Sequence, residues 1–262
     1  MLWQADPKHW PRHAPVLFPI VGRLKDGKAI CQGKEINLPQ HGFARDMVFE
    51  MKEKTDDFIS FHLRSNDETR QQFPFDFELC VSYQLLDDGV KIGYEVHAPD
   101  TALNKDGLWF TIGAHPGFNW PFHANENAED YAVEFELSEK LETHLLKDGL
   151  RSGETKLLAE DELLLRLNHS LFANDALIFN GLKSRWVKLI NDHTSQWVKV
   201  SIEGWPWLGI WTKPNAPFLC IEPWQGVTDS IDSTGNFEEK EWMVKLLPGE
   251  WWRGGFEVRS GD

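Results

Sequence analysis

The sequence predicts an all-β protein, a large antiparallel β-sandwich, and three observations carry that prediction. Apolar and polar residues alternate with a period of two along much of the chain. The alternating runs are short and bounded by Gly, Pro and Asn-Asp turn residues. Helical periodicity is confined to brief stretches, such as residues 238–244. Many short strands with such punctuation indicate a sandwich rather than a parallel α/β fold.

Taken in order, a hairpin-like stretch lies between Arg23 and Leu38, and residues 58–63 read as a strand. The firmest signal follows. Phe77, Leu79, Val81, Tyr83 and Leu85 alternate with polar or small neighbours, and Val90, Ile92, Tyr94 and Val96 do so again after Asp87-Asp88-Gly89. Two period-two runs around an Asp-Gly turn predict a hairpin. Residues 132–137, 186–190, 197–202, 207–211, 218–221 and 256–259 supply further strands. No linker, composition break or internal repeat divides the chain, so residues 1–262 read as a single domain.

Composition narrows the function classes. The net charge of −14 repels nucleic acid and anionic membrane surfaces, and no basic cluster offsets it. Cys31, Cys80 and Cys220 are odd in number and widely spaced, which suits neither a disulfide framework nor a zinc site. Met1 is followed at once by Leu2-Trp3-Gln4-Ala5-Asp6, with no basic and apolar leader pattern, and no apolar run approaches a membrane span. These features point to the cytoplasm. The 13 tryptophans suit a Trp-rich core, but indoles also stack on the apolar faces of sugar rings, so a carbohydrate site enters consideration.

Three segments place polar residues in aromatic and Pro/Gly surroundings. The first runs from Phe18-Pro19-Ile20-Val21-Gly22-Arg23 to Pro39-Gln40-His41-Gly42-Phe43. The second is Gly113-Ala114-His115-Pro116-Gly117-Phe118-Asn119-Trp120-Pro121. The third is Trp211-Thr212-Lys213-Pro214, followed by Phe218-Leu219-Cys220-Ile221-Glu222-Pro223-Trp224. Strand alternation sets Phe218, Cys220 and Glu222 on one face. A carboxylate ending an apolar strand beside Trp224 is partly desolvated, which raises its pKa and suits it to act as a base near neutrality. Taken alone, Glu222 also fits a strand-edge carboxylate paired with a lysine, and His115 or His41 a satisfied core histidine. His9 and His13, separated by Pro11, do not form a metal pair, and no metal site is expected.

Together, Arg23, His41, His115 and Glu222 occur in the order seen in the aldose 1-epimerase (galactose mutarotase-like) superfamily, and the strings around them most resemble its LacX-type branch. The resemblance covers nearly the whole chain. It implies the family's large antiparallel supersandwich and interconversion of the α and β anomers of a free sugar. By that resemblance His115 corresponds to the acid that protonates the ring oxygen and Glu222 to the base that takes the anomeric hydroxyl proton. His41 would orient the ring-oxygen side, and Arg23 would bind sugar hydroxyls. Asp175, in Phe172-Ala173-Asn174-Asp175, looks like the sugar-binding aspartate, and Trp224 would line the site. No cofactor is implied, because no electrons move and no phosphoryl group transfers. Relatives carry about two strands ahead of Leu2-Trp3-Gln4; their lack here implies an open sheet edge through which two copies could pair as a homodimer.

Three rival functions keep the same scaffold or a similar one. A hexose 6-phosphate mutarotase would need cations such as Arg12, Arg45 and Lys213 converging on a phosphate. A catalytically silent sugar-binding or regulatory protein would need no matched acid and base. A glycoside hydrolase would need two carboxylates, whereas Glu222 has a histidine as its apparent partner.

Overall fold

The computed structural model describes residues 1–262, and 48% of them lie in strands against 10% in helices, mostly single 3₁₀ turns. The fold class is the all-β, antiparallel one expected. The chain forms two compact units: Met1–Val16, Ala114–Trp224 and Val258–Asp262 make the first, and Leu17–Gly113 with Gln225–Glu257 make the second.

In the first unit, strands Gly117–Asn119, Phe218–Trp224, Trp207–Trp211 and Leu177–Asn180 lie side by side, each antiparallel to the next. A second sheet orders Leu150–Arg166, Tyr131–Lys147, Trp186–Asn191, Trp197–Ser201 and residues 258–261. The Ile178 N–H donates to Thr143 Oγ1 at 2.8 Å and ties the two sheets together. Alternation decides what each strand buries. Val187, Leu189, Val198 and Val200 face the core. Their neighbours Trp186 and Trp197 lie on the opposite face under the ammonium groups of Lys188 and Lys199, 4.7–5.8 Å from the ring centroids. These tryptophans are therefore structural.

In the second unit, Glu50–Lys54, Phe58–Arg64, Glu78–Leu86 and Gly89–His97 form an antiparallel meander. The Asp-Gly hairpin forms as expected, with Leu86 opposite Gly89. Hairpin Lys28–Cys31/Lys34–Asn37 turns on Gln32 and Gly33, both at positive φ, the geometry of a two-residue type I′ loop. Phe18, Phe43, Phe73 and Phe77 pack ring against ring in the core. Strand Glu50–Lys54 is a fully exposed edge.

Two expectations need correction. Residues 238–244 are not helical: a single 3₁₀ turn, Phe237–Glu239, ends before Trp242 takes φ +62°, and strand Val244–Leu246 follows. The apolar spacing there serves a turn, because Lys240 is drawn inward to Asp229 and leaves the helical path. The α-helix, Asp67–Gln72, lies elsewhere. A capping box holds its start, with Asn66 and Thr69 exchanging side-chain-to-backbone hydrogen bonds. Strand Leu150–Arg166 lies outside the runs expected to be strands, because its largely exposed residues hide the alternation.

Candidate active site

His115 and Glu222 meet because of strand register. Gly117 lies opposite Cys220 and Asn119 opposite Phe218, so paired numbers sum to 337 (117 + 220, 119 + 218). Continued by two residues, that register sets His115 opposite Glu222 (115 + 222). The Ile221 N–H donates to the Pro116 carbonyl at 3.2 Å and holds the His-Pro-Gly segment in this alignment. The result is an Nε2–Oε2 distance of 3.2 Å between imidazole and carboxylate. Both groups are buried, Glu222 to 1% exposure and His115 to 7%.

On its other side, strand Phe218–Trp224 pairs Glu222 with Gly209 and Cys220 with Trp211. Same-face neighbours therefore come in two rows: His115, Glu222, Gly209, and Gly117, Cys220, Trp211. Each row contains one glycine where a ring must pass. A Cβ on Gly209 would lie 2.4 Å from the Trp224 ring, which crosses that position. A Cβ on Gly117 would lie 3.1 Å from Trp10 and 3.2 Å from Trp3.

The walls are aromatic. Trp10 stacks on His115 with centroids 4.8 Å apart and planes at 30°, while Trp211 meets the same imidazole nearly perpendicular at 5.5 Å. Trp10 is held from behind by Phe218, stacked at 5.5 Å, and by Trp3, whose indole N–H donates to the Trp10 carbonyl at 2.9 Å. Trp224 is expected from the sequence at the wall; Trp3 and Trp10 are not. Nothing local marks them, since they sit some 100 residues before His115 in a segment without regular structure.

Burial pushes the Glu222 carboxyl well above the usual glutamate range. The Trp224 indole N–H opposes the rise without completing a hydrogen bond of ordinary geometry, and the negative charge of Asp175 adds to it. Burial likewise raises the Cys220 thiol well above its ordinary value, reinforced by Glu222. Asp175 itself is exposed, in a turn at φ +85°, with its Oδ1 accepting the Ala176 N–H at 2.8 Å.

Arg23 and His41 belong to the second unit and are joined there by Gln40. Both the Nε and Nη2 groups of Arg23 donate to Gln40 Oε1, at 3.2 and 3.1 Å. Gln40 Nε2 lies 3.2 Å from His41 Nε2, and His41 Nδ1 accepts the Gly22 N–H at 3.1 Å. Gly22 must be glycine: it has φ +73°, and a Cβ would lie 2.3 Å from Thr228. The Arg23 backbone is fixed by Thr228 Oγ1 and the Asp229 N–H, both at 2.9 Å. Behind it, Asp229 forms a buried ion pair with Lys240 at 2.7 Å. Of the cations considered for a phosphate, Lys213 donates to the His9 carbonyl at 2.7 Å and Arg45 pairs with Asp46 at 3.7 Å.

Solved structures that superpose on this chain share its antiparallel β-rich fold. Residues 1–259 match the aldose 1-epimerase family, and the chain belongs to it. It is 33% identical over 258 residues to the plasmid-encoded protein LacX of Lactococcus lactis subsp. lactis, covering 94% of this chain and 85% of LacX. Among solved structures, a galactose mutarotase related enzyme from Lactobacillus acidophilus superposes with a TM-score of 0.92 at 38% identity, over 100% of this chain and 87% of that one. A galactose mutarotase-like protein from Lactobacillus casei superposes with a TM-score of 0.91 at 28% identity, over 99% and 89%. No helix is long and apolar enough to cross a membrane.

Proposed function

We propose that the protein interconverts the α and β anomers of an aldose, with Glu222 as base and His115 as acid. The observation that carries this reading is the 3.2 Å contact between His115 Nε2 and Glu222 Oε2 in an indole-walled, buried setting. Mutarotation needs an acid and a base acting on two oxygens of one carbon. Glu222 takes the proton from O1 while His115 delivers one to O5, and the hemiacetal opens to an aldehyde. Rotation about C1–C2 presents the other carbonyl face, and reclosure reverses both transfers. The raised carboxyl supports the base role, because a stronger base near neutrality accepts the proton more readily. Each group contributes roughly 10²–10⁴-fold.

From the family resemblance Arg23 is proposed to bind sugar hydroxyls and His41 to orient the ring-oxygen side, supported by the Gln40 bridge that holds them together. Asp175 is proposed as a sugar-binding residue and Trp224 as a wall of the site, supported by their electrostatic action on Glu222. Only protons move, so no redox cofactor or phosphoryl donor takes part. Free Cys31, Cys80 and Cys220 suit a cytoplasmic location. The exposed edge Glu50–Lys54 is the surface we reserve for self-association, which sedimentation velocity tests.

The decisive experiment is NMR exchange between anomers for free and phosphorylated aldoses, with and without protein. Accelerated exchange of a free aldose supports the proposal. Binding without acceleration identifies a silent sugar-binding protein, and acceleration of 6-phosphates alone identifies a phosphosugar mutarotase.

A further inference from the structure

We propose that His115, Cys220 and Glu222 form a site for one thiophilic divalent cation, Zn²⁺ by the chemistry of its donors, and that its binding blocks the acid–base pair. The cation binding stands on geometry alone; only the inhibition rests on the function proposed above.

The three side chains each offer one ligand atom, and these atoms lie within 4.8 Å of one another. The His115 Nε2–Glu222 Oε2 separation is 3.2 Å. Two ligands at bonds of about 2.0–2.1 Å in a tetrahedral zinc shell stand about 3.4 Å apart, so this pair needs little adjustment. Cys220 completes a triangle from the same strand, since residues 220 and 222 share a face. All three residues are buried. Glu222 Oε2 is buried and, apart from the imidazole nitrogen it faces, takes no hydrogen bond. That atom is one corner of the triangle.

The donor set selects the cation. One imidazole, one thiolate and one carboxylate suit zinc, whereas magnesium and calcium demand oxygen ligands alone. Charge selects it again. A thiolate and a carboxylate together neutralise a divalent ion, so the loaded site is neutral, and neutral groups avoid the penalty of burying net charge. Binding releases to solvent the Cys220 thiol proton and the proton shared between His115 and Glu222. Three protein ligands leave a fourth position for water or a sugar hydroxyl. The indoles of Trp10 and Trp211 flank the imidazole and shield the site from bulk water. A cation held here occupies both the base and the acid, so neither removal of the O1 proton nor delivery of one to O5 can proceed.

The test uses chelator-treated full-length protein with Zn²⁺ and, as a spectroscopic probe, Co²⁺. The expected result is 1:1 Co²⁺ binding with a near-ultraviolet thiolate charge-transfer band and visible bands of tetrahedral cobalt. Zn²⁺ should displace the cobalt, abolish anomer exchange, and be reversed by chelator. Cys220→Ala should lose the charge-transfer band. It should keep its metal-free exchange rate, yet tolerate more Zn²⁺ by at least the roughly 10–100-fold that losing a mere supporting contact costs. Should Cys220→Ala not fold, Cys220→Ser and His115→Gln read the same spectral loss. No cobalt binding at millimolar metal would overturn the proposal. So would a charge-transfer band that survives in Cys220→Ala and disappears in Cys31→Ala or Cys80→Ala. A protein that binds cobalt through Cys220 but never exchanges anomers would refute the proposed function and leave the cation site standing.

Discussion

The indole of Trp10 lies against the imidazole of His115, 4.8 Å between centroids and 30° from parallel, and fixes the plane in which His115 Nε2 meets Glu222. Trp10 is in turn pinned by Phe218 and by the Trp3 N–H. In the proposed mechanism, the ring that delivers a proton is therefore oriented by a residue that transfers none.

This makes Trp10 a positioning residue. Trp10→Leu keeps most of the apolar volume but loses the flat face, and should lower kcat by on the order of tenfold to a hundredfold, the size of loss a small misplacement of reacting groups produces. Trp10→Phe should restore most of it. The companion measurement is the NMR shift of the His115 ring protons, which the stacked indole shields and which should move downfield in Trp10→Leu. Equal loss of kcat in both variants with an unmoved His115 signal would reduce Trp10 to a packing residue.

Glu222→Gln should trade activity for stability. Removing the base should slow anomer exchange at least about a hundredfold while sugar binding persists. The sign of the stability effect follows from the raised carboxyl. An acid whose pKa is higher folded than unfolded favours the fold while protonated, and that contribution is lost as pH rises through the folded value. The wild type therefore carries a penalty near neutrality that glutamine removes. Thermal unfolding should show Glu222→Gln more stable than wild type at neutral pH, with the gap closing below the ordinary glutamate pKa of about 4.3. A gap that widened on acidification would show the carboxyl to be lowered instead.

Gly209→Ala should damage the site from behind. The added methyl would meet the Trp224 ring at 2.4 Å, so either the indole or the strand must shift. Overpacking of this kind costs about 1–3 kcal/mol, readable as a lower urea midpoint. Since Gly209 pairs with Glu222, activity should fall as well. Combining it with Trp224→Phe, which shortens the ring, should recover stability; simple additivity of the two losses would contradict the steric account.

The ion pair behind Arg23 separates support from contact. Lys240→Met leaves the Asp229 carboxylate buried and unpaired, and should cost about 3–5 kcal/mol of stability. Arg23→Ala touches an exposed side chain and should leave the melting temperature nearly unchanged while raising KM. An unchanged KM in Arg23→Ala would remove Arg23 from the hydroxyl-binding set.

Much of the architecture was legible because a sheet with one buried face writes its period into the sequence. The alternation through residues 77–96 and the Asp-Gly turn correspond to the observed hairpin, and Trp207–Trp211 has the bounds expected. The failures have a common cause in weak local signals. The Asp67–Gln72 helix is too short to show a period. Residues 238–244 mimic a helical spacing that a buried Asp229–Lys240 pair interrupts. Strand Leu150–Arg166 is so exposed that its partner, not its own composition, makes it a strand.

At the site, the sequence alone singled out candidates, a carboxylate ending an apolar strand and a histidine in a Pro/Gly segment, each of which taken alone also fits a structural role. Only the tertiary structure decided what they touch. His115 and Glu222 are 107 residues apart (222 − 115), and antiparallel register, not local pattern, brings them to 3.2 Å. The same register turns Cys220 into their neighbour and makes room, through Gly117 and Gly209, for Trp10 and Trp224. Spacing along the chain showed no metal pair and no indole wall, because both arise from strands that hydrogen-bonding, a long-range interaction in sequence, aligns only once the sheet exists.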